Sequence, residues 1–592
     1  MGLNYGIIGN CKSAALVKED TSIDWFCLPQ FDSPSVFAAL LDSSKGGHFK
    51  INSKSVQSYK QFYLEHTCVL ITQIYCGDGT IEITDYMPRY QKEGETYHAP
   101  PEMVRLIRPI KGTPEISIAY HPKLEYAVGN TRTYKKNDCI VSVYDEDCYD
   151  TLFCYTNAEK EDVIEGTSFV LDTPLYFLLA YNEKLKVPDW EDLQFDFERT
   201  KVYWLNWSAK TPKLSRYNKE VLRSALTLKL LTFEKTGAIL AAATTSLPET
   251  IGEVRNWDYR FCWIRDASMV MKVISRLGHQ VIVKKFIAYI IDLIPEKDEK
   301  LQIMYGINGQ KNLEEKILDH LQGYEGSKPV RIGNAAYLQK QNDIYGILVD
   351  AIYFQLYKFP NDRDFHEEIW GIVKNIVWIV RNNWQQPDKG IWEFRNEDRH
   401  FVFSKLLCWV AIDRAIKIAE ILDKPESTKK WLPLAEEIKA DIHHNGWNES
   451  IGAYTQSYGS TDLDASVLLM ESYGLVDAMD PRYVSTVKAI EKSLCHEGLL
   501  YRYKNSDDFG VPTSSFTVCT FWYINSLYKI GEKEKAVQLF DQLLSYSNHL
   551  GLFSEDLDFQ TKRLLGNFPQ AYSHLALIEF AMNIHEDAIK NG

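Results

Sequence analysis

Residues 256–268, NWDYRFCWIRDAS, place aromatic rings beside four charged residues in one short run. A helix buried in a core would not need the charges, and a helix facing solvent would not need the rings. The mixture suits a surface that binds something both flat and polar, such as a sugar ring, because charged groups make strong hydrogen bonds to hydroxyls. The pair Arg265 and Asp266 could instead form a structural ion pair at the start of a helix.

A glutamate that could act as a general acid lies within residues 389–401, KGIWEFRNEDRHF. Glu393 stands between Trp392 and Phe394, where partial burial would raise the pKa of its carboxyl group. A raised pKa keeps a carboxyl group protonated near neutral pH, as a general acid requires. The stretch therefore predicts a proton donor, although a glutamate beside a tryptophan is more often structural.

A second glutamate lies within residues 549–558, HLGLFSEDLD. Glu555 follows a loop-like segment that contains glycine, and its polar neighbours are Ser554, Asp556 and Asp558. Such neighbours predict an ionised carboxylate that could activate a water molecule. A protonated and an ionised carboxyl group together would supply the acid and the base for glycoside cleavage. The chain has 80 acidic residues, so residue type alone does not select this pair.

The composition is that of a globular protein and excludes several classes of function. The 592 residues are 45% hydrophobic and 25% charged, and the net charge of −14 argues against a general nucleic-acid binder. No apolar run approaches the roughly 20 residues of a membrane helix, and the N-terminus does not resemble a secretory signal. Eleven cysteines without a CxxC pair predict reduced, buried thiols and a cytoplasmic location. No ligand cluster compels a metal ion, and no cofactor is expected.

The chain has two parts with different secondary structure, and both bear on how the candidate residues are positioned. About the first 200 residues read as short strands separated by turns, and residues 69–88 predict a hairpin at Asp78-Gly79. Many such strands favour an antiparallel β-sandwich. The acidic run YDEDCYD (144–150) predicts a solvated loop or sheet edge.

Helical periodicity follows from about Trp204 onwards. Residues 216–235 place leucines on one helical face, and residues 404–448 and 521–548 read as helix pairs, the first broken near Asp423–Pro425 and the second at Gly531. The sequence thus predicts a β-sandwich domain with its linker over residues 1–205 and an all-helical domain over residues 206–592. Rings of helix pairs could close into a toroid, although periodicity does not show closure.

Long motifs follow one another along almost the whole chain in a familiar order. They are YGIIGNCKSAALVKEDTSIDWFCLPQFDSPSVFAALLD (5–42), GEVRNWDYRFCWIRDAS (252–268), LDHLQGYEGSKPVRIGNAAYLQKQNDIYG (318–346), GIWEFR (390–395), TDLDAS (461–466), LGLFSEDLD (550–558) and LLGNFPQAYSHLAL (564–577). In these motifs the chain resembles glycoside hydrolase family 15, in its bacterial and archaeal group of glucoamylases, glucodextranases and trehalase-like proteins.

The resemblance implies a β-sandwich followed by an (α/α)6 barrel, and an inverting exo-acting α-glucoside hydrolase that releases β-glucose from non-reducing ends. It implies that Glu393 is the general acid and Glu555 the general base, facing each other across a pocket with room for one water. The residues that it implies for sugar binding are Tyr259, Trp263, Arg265, Asp266, Trp392, and at the pocket rim or floor Arg331 and Asn334. Asp462 and Asp464 are expected to cap a helix and not to contact substrate.

Several functions remain open at this point. The main expectation is cleavage of α-1,4 or α-1,6 bonds in short gluco-oligosaccharides, because no starch-binding module is present; the alternative is the α,α-1,1 bond of trehalose. A phosphate-dependent disaccharide phosphorylase is an alternative of another class, but it would not need the base Glu555. A non-catalytic sugar-binding relative is a third. The expected partner is a small sugar substrate, and the oligomeric state is unknown.

Overall fold

The structure, a computed structural model, describes residues 2–92, 97–144, 150–293, 301–359 and 366–591. Residues 145–149 of the acidic run lie outside these ranges, so the loop predicted there is not described. Within the described ranges, no helix has the length and apolar character that crossing a lipid bilayer requires.

The N-terminal part consists of two antiparallel sheets. Their order is β1-β2-β3-β5-β12-β16, with β4 paired to β3, and β13-β14-β15-β17-β11-β8-β7-β6; β9 and β10 pair with each other. The described strands are β1 (Tyr5–Gly9), β2 (Ala14–Lys18), β3 (Ile23–Cys27), β4 (Ser35–Phe37), β5 (His48–Ser53), β6 (Val56–Tyr63), β7 (Leu70–Cys76), β8 (Gly79–Tyr86), β9 (Tyr90–Gln91), β10 (Tyr97–His98), β11 (Glu102–Gly112), β12 (Glu115–His121), β13 (Thr131–Lys135), β14 (Ile140–Tyr144), β15 (Thr151–Thr156), β16 (Ser168–Val170) and β17 (Leu175–Tyr181).

Alternating side chains explain why the two sheets pack face to face. In β8, Ile81 and Ile83 are buried while Glu82 and Thr84 are only partly covered, as expected for a strand with one face in a core. The hairpin predicted at Asp78-Gly79 is confirmed, because β7 and β8 pair on either side of it. Residues from both sheets form one apolar core. The predicted β-sandwich is therefore confirmed.

The C-terminal part is helical, while two short helices, Lys160–Glu165 and the 3₁₀ helix Glu125–Ala127, lie among the strands of the N-terminal part. The described helices are α1 (Lys160–Glu165), α2 (Trp190–Ser208), α3 (Asn218–Leu230), α4 (Ile264–Arg276), α5 (Gln280–Leu293), α6 (Asp343–Lys358), α7 (His366–Asn383), α8 (Val402–Ile421), α9 (Pro425–Asn445), α10 (Pro481–Leu494), α11 (Thr517–Lys529), α12 (Lys533–Leu544) and α13 (Ala571–Asn591), with 3₁₀ helices at Glu125–Ala127, Tyr324–Gly326, Ala335–Leu338 and Ala465–Met470. Two-residue strands pair in the loops: Cys262–Trp263 with Met304–Tyr305, Lys316–Ile317 with Arg331–Ile332, Trp447–Asn448 with Ala453–Tyr454, Cys495–His496 with Leu499–Leu500, and Asp556–Leu557 with both Ser515–Phe516 and Leu564–Leu565.

The helices of the described residues close into a double ring. The inner ring runs α4, α6, α8, the 3₁₀ helix Ala465–Met470, α11 and α13, and α13 returns to contact α4. The outer helices α5, α7, α9, α10, α12 and α3 pack in turn against these inner elements. The helix α8 is buried almost around its whole circumference, as an element enclosed by others must be. The (α/α)6 barrel is therefore confirmed, including the closure that periodicity left open.

Side-chain hydrogen bonds join the sandwich to the barrel. Trp25 on β3 donates its indole N–H to the carbonyl oxygen of Ala243 over 2.9 Å. Arg260, within the 256–268 run, donates to the Ser33 carbonyl over 3.0 Å while its guanidinium pairs with Asp258. The division at residue 205 stays a proposal; that position falls within α2, after the last strand of the sandwich.

Candidate active site

A pocket lies among the loops that lead into the inner helices. Successive inner helices run in the same direction around the ring, because each is followed by an outer helix that returns the chain, so their N-terminal ends gather on one side. The pocket lining combines rings with charged groups and includes Glu249, Arg255, Trp257, Tyr259, Trp263, Arg265, Asp266, Asn334, Gln339, Trp392, Glu393, Phe394, Arg395, Arg502, Asp507, Asp508, Phe509 and Tyr572.

The first turn of α4 brings two charged residues into this pocket. Arg265 Nε donates to Asp266 Oδ1 over 3.0 Å, and Arg265 Nη1 donates to Gln341 Oε1 over 3.1 Å. The same guanidinium lies 3.5 Å from Asp343 Oδ2 and 3.8 Å from Glu393 Oε1. Arg265 thus balances three buried carboxyl groups at once. The ion pair that the sequence allowed is present, and it lines the pocket as a sugar-binding pair would.

Two neighbouring rings connect the two glutamates that the sequence selects. The rings of Tyr259 and Trp263 lie with centroids 5.4 Å apart at an interplanar angle of 70°. Trp263 Nε1 donates to Glu393 Oε1 over 2.8 Å, and the Tyr259 hydroxyl donates to Glu555 Oε1 over 2.6 Å. The adjacent rings therefore link the carboxyl groups of Glu393 and Glu555, whose loops are far apart in sequence. Glu393 lines the pocket, whereas Glu555 is hydrogen-bonded to Tyr259 outside the pocket lining.

Glu393 occupies a tight turn in the loop before α8. Its backbone has φ of 62°, and its N–H donates to the Gly390 carbonyl over 3.2 Å. The side chain is 24% exposed. Burial raises the pKa of the Glu393 carboxyl, and the charge of Arg265 and the hydrogen bond from Trp263 oppose that rise. This is the direction that the sequence predicts for a proton donor.

Glu555 leads into the short strand Asp556–Leu557. Its carbonyl accepts from Thr517 N over 2.9 Å, and its Oε2 accepts from Asn567 N over 3.1 Å. The side chain has no exposed surface. Burial raises the pKa of the Glu555 carboxyl, and the charge of Glu249 raises it further, against hydrogen bonds from Tyr259 and Asn567.

The prediction that polar neighbours keep Glu555 ionised is wrong, because burial and the charge of Glu249 raise the pKa of its carboxyl to about 8. Ser554 and Asp556 are themselves buried, so they bring no solvent to the carboxylate. The hydrogen bonds that favour its ionised form come instead from Tyr259 and Asn567, which are remote in sequence.

Trp392 and Asp464 support the loop that carries Glu393. Trp392 Nε1 donates to Asp464 Oδ2 over 2.8 Å, and the indole packs edge-on against Phe516 at 5.6 Å. Asp464 Oδ1 also accepts from Ser466 N over 2.8 Å, so the predicted helix cap is confirmed. The cap begins the 3₁₀ member of the inner ring and fixes a ring of the pocket wall at the same time.

Asn334 and Arg331 differ in their relation to the pocket. Asn334 lines it and donates Nδ2 to the Asp258 carbonyl over 3.4 Å. Arg331 lies behind Trp257, its guanidinium carbon 4.4 Å from the ring centroid, and donates Nη1 to the carbonyls of Val254 and Asn256. Arg331 therefore supports the wall from outside the lining.

Sequence reasoning missed several charged residues of the pocket. Arg502 Nη2 donates to Glu249 Oε2 over 2.8 Å, and Arg255 binds Asp507 through both Nη atoms over 2.7 and 2.8 Å. Neither Glu249 nor Arg502 stands beside another candidate in the sequence, so no local pattern singles them out. Within the part of the chain that the structure describes, no group of three or more His, Cys, Asp or Glu side chains could hold a metal ion.

Comparisons with known proteins agree with this architecture. Residues 215–582 match the model of "Glycosyl hydrolases family 15", and residues 4–147 match "Trehalase-like, N-terminal". A trehalase of Thermoplasma volcanium is 34% identical over 593 residues, covering 99% of this chain and 94% of the relative. A trehalase of Mycolicibacterium smegmatis is 34% identical over 621 residues, covering 100% of this chain and 92% of the relative.

A solved structure of a bacterial glucoamylase complexed with acarbose has a similar fold. The TM-score is 0.69 at 13% sequence identity, and the match covers 99% of this chain and 94% of that one. The family model spans more than half of the chain, and the relatives match over nearly all of it. The chain therefore belongs to glycosyl hydrolase family 15, and it is an inverting glycoside hydrolase of the α-glucosidase class.

Proposed function

We propose that the enzyme is an α,α-trehalase that hydrolyses trehalose with inversion. The full-length relatives named trehalase support this alternative better than the main expectation of cleavage in short α-1,4 or α-1,6 glucans. The likeness to a glucoamylase supports the fold only. Membership of a hydrolase family also weighs against a phosphorylase and against a non-catalytic relative.

One observation carries the chemistry of the proposal. The carboxyl groups of Glu393, whose side chain is 24% exposed, and of the fully buried Glu555 accept hydrogen bonds from rings only 5.4 Å apart. Inversion by a single displacement needs an acid on one face of the sugar and a base with its water on the other. Glu393 lines the pocket and Glu555 lies against Tyr259 next to it, so these two carboxyl groups are the candidates for the two roles.

The proposed roles follow from the contacts. Glu393, whose pKa is raised by burial, donates a proton to the glycosidic oxygen. Glu555 removes a proton from a water molecule, which attacks the anomeric carbon through an oxocarbenium-like state. Arg265 and Asp266 bind the hydroxyls of the glucosyl unit being transferred, and the rings of Tyr259 and Trp263 cover its apolar face.

The two glucose molecules released from trehalose report whether the reaction inverts or retains anomeric configuration. Attack at one anomeric carbon with inversion releases that sugar as β-glucose, while the other sugar leaves with its α configuration. We expect equal amounts of α- and β-glucose in the first minutes of reaction, before mutarotation. Only α-glucose would form if the enzyme retained configuration.

The deciding experiment is a panel of trehalose, maltose, isomaltose and soluble starch, with the product anomers followed by NMR. We expect kcat/KM for trehalose to exceed that for every other substrate by at least tenfold, as ~1.4 kcal/mol of transition-state discrimination would give. A higher value on maltose, isomaltose or starch would refute trehalase specificity. Early formation of α-glucose alone from trehalose would refute inversion.

We also propose that the enzyme acts in a reducing compartment, the cytoplasm. The ten cysteines in the described residues are all free, and nine of them are buried. Buried thiols of this kind are typical of proteins kept reduced. Labelling with a thiol reagent under denaturing conditions, without reductant, should recover every cysteine of protein isolated from its cell.

A further inference from the structure

A wall of stacked side chains borders the pocket beside Glu393. The guanidinium carbon of Arg395 lies 4.5 Å from the ring centroid of Trp257 and 5.4 Å from that of Phe509. The rings of Trp257 and Phe509 meet at 5.2 Å with an angle of 67°. These three residues, which we name the Trp257 wall, all line the pocket.

Buried charges fix the Trp257 wall from behind. Glu315 binds Arg395 Nη2 over 3.1 Å and lies 3.3 Å from Arg331 Nε, so one carboxylate holds two guanidinium groups. Both of these guanidinium groups lie within 4.5 Å of the Trp257 ring centroid. Cation–π contacts and ion pairs together leave the indole little freedom to turn. The wall is therefore preformed.

The segment that carries Phe509 is tied to two separate loops. Asp508 accepts hydrogen bonds from Arg395 N and, over 3.1 Å, from Asn396 N, which belong to the loop of the proposed acid. Asp507 binds Arg255, and Arg255 Nη2 also donates to the Gly510 carbonyl over 2.8 Å. Residues 506–510 thus join the loop after Glu393 to the loop before Trp257.

The Trp257 wall lies beside the loop of Glu393, the residue that in the proposed function protonates the oxygen of the leaving sugar. Arg395 follows Glu393 by two residues, and Glu393 is the group that protonates the leaving oxygen in the proposed function. Arg395 pairs with Glu315 and Asp266 pairs with Arg265, so Arg395 belongs to a different ion-pair cluster from the residues proposed to bind the transferred sugar. Arg395 Nη2 contacts Glu315, while no bond of Nε or Nη1 occurs within the described residues, and the side chain is 31% exposed.

We infer that the Trp257 wall binds the leaving glucose and ends the pocket after that one sugar, so that the enzyme is selective for disaccharides. The inference rests on the proposed function and names the residues that set its specificity. Trp257 and Phe509 supply apolar contact for a sugar face, and Arg395 supplies charged donors for hydroxyls. Asp507, Asp508 and Phe509 line the pocket, and in this inference they close it beyond the leaving glucose.

The test compares two substrates that share the transferred glucose but differ in the leaving group. α-Glucosyl fluoride has no leaving sugar, so its hydrolysis does not use the wall. We expect Arg395→Met and Phe509→Ala to lower kcat/KM for trehalose about 10- to 100-fold, as loss of a charged hydrogen bond or of ring packing would give. For α-glucosyl fluoride we expect a change of less than about threefold, within the effect of a single weak contact.

Arg399→Met is the matched control for Arg395→Met. Arg399 is 30% exposed, belongs to the same loop and pairs with Glu397, but it does not line the pocket. Arg399→Met should leave kcat/KM unchanged for both trehalose and α-glucosyl fluoride. Phe509→Ala should also raise the rate on maltotriose relative to maltose, because it removes the end of the pocket.

The outcomes separate the two proposals. Methyl α-glucoside needs the proton of Glu393 but has no leaving sugar, so equal losses on trehalose and methyl α-glucoside would show that the wall only supports the acid loop. Unchanged trehalose kinetics in both variants would show that the wall does not touch substrate, and either result overturns the inference. A wild-type enzyme that cleaves α-glucosyl fluoride and maltose but not trehalose would refute the proposed function instead, and the same variants would then test the wall with maltose. If Arg395→Met does not fold, Phe509→Ala decides alone.

Discussion

At the scale of single residues, neighbouring charges and hydrogen bonds set the pH at which the fully buried carboxyl of Glu555, the proposed base, ionises. Glu249 lies close enough to raise the pKa of Glu555, and Arg502, which pairs with Glu249 over 2.8 Å, opposes the rise. The Tyr259 hydroxyl and Asn567 N stabilise the ionised form by direct hydrogen bonds. The charge of Glu249 therefore controls the pH at which the base ionises.

Glu249→Gln should shift the acidic limb of the pH profile of kcat/KM to lower pH. Removing the charge of Glu249 lowers the pKa of Glu555, and the base is active only when ionised, so activity persists at lower pH. α-Glucosyl fluoride is the substrate of choice, because fluoride leaves without the proton of Glu393. Glu253→Gln, from the same loop but outside the pocket lining, is the control. An acidic limb that stays at the same pH or moves to higher pH would contradict the assignment of Glu555 as the base.

Glu393→Gln should separate the acid from the base. The change removes the proton donor and should lower kcat for trehalose about 100- to 10,000-fold, as expected for loss of general acid catalysis. Hydrolysis of α-glucosyl fluoride should fall much less. Glu397→Gln serves as the control, since its carboxylate is 65% exposed in the same loop. Unchanged turnover of trehalose by Glu393→Gln would remove this residue from the mechanism.

The sequence predicts some of these residues and not others for a physical reason. Glu393 and Glu555 stand in long motifs with distinctive neighbours, so a resemblance to a family finds them. Glu249, Arg502 and Phe509 act only through partners in other loops, and their own neighbours in the sequence give no sign of those contacts. The pKa of Glu555 was misjudged for the same reason, because its decisive contacts are remote.

At the scale of elements, the three-stranded sheet of residues 515–516, 556–557 and 564–565 holds Glu555 in place. Gly566 follows the last strand with φ of +71°, and a Cβ there would lie 2.6 Å from Glu555 Cβ and from its Oε2. Only glycine avoids both the strained backbone and the collision.

Gly566→Ala should lower both stability and activity. Left-handed backbone costs an alanine about 1–2 kcal/mol, and the methyl group would also displace the carboxylate of Glu555. Gly459→Ala is a matched control, because Gly459 has φ of +74° with nothing within 4 Å of its added Cβ. Thermal unfolding should show a lower melting temperature for both variants than for the wild type. The kcat on α-glucosyl fluoride should fall only in Gly566→Ala. Full activity of Gly566→Ala would contradict the close approach between position 566 and the side chain of Glu555.

Helix periodicity predicts the pairs but not the ring that they form. The break between α8 and α9 falls at residues 422–424, and Gly531, with φ of +96°, separates α11 from α12, both as the sequence predicts. The inner element Ala465–Met470 is a short 3₁₀ helix capped by Asp464, so its length gives no periodic signal. Closure depends on contacts between the first and last inner helices, which lie about 300 residues apart along the chain.

At the scale of the whole molecule, the sandwich supports the catalytic segment through buried polar contacts. Arg260 is 1% exposed and pairs with the fully buried Asp258, while it also donates to Ser33 of the sandwich. Gly333 N donates to Asp258 Oδ2 over 3.1 Å, next to the pocket residue Asn334. The change from strand-like patterns to helical periodicity along the sequence predicts two domains. It does not predict the contacts of Arg260 that connect them.

Arg260→Met should destabilise the enzyme strongly. It leaves the carboxylate of Asp258 buried without its cation, which costs about 3–5 kcal/mol when one partner of a buried pair is removed. Arg216→Met is the control, since the pair with Asp541 is half exposed and should contribute about 1 kcal/mol or less. Urea unfolding followed by tryptophan fluorescence measures both. Equal midpoints for the two variants would contradict the structural role of Arg260.

The contact between Tyr259 and Trp263 has a consequence for the stereochemistry of the reaction. The two residues are four positions apart in one continuous segment, and each donates to a different catalytic carboxyl group. In the proposed mechanism, the spacing between the acid and the base is therefore set locally, by five consecutive residues, and not by the diameter of the barrel. Lengthening or shortening the peripheral loops would alter which sugars enter, while the anomer produced would stay the same.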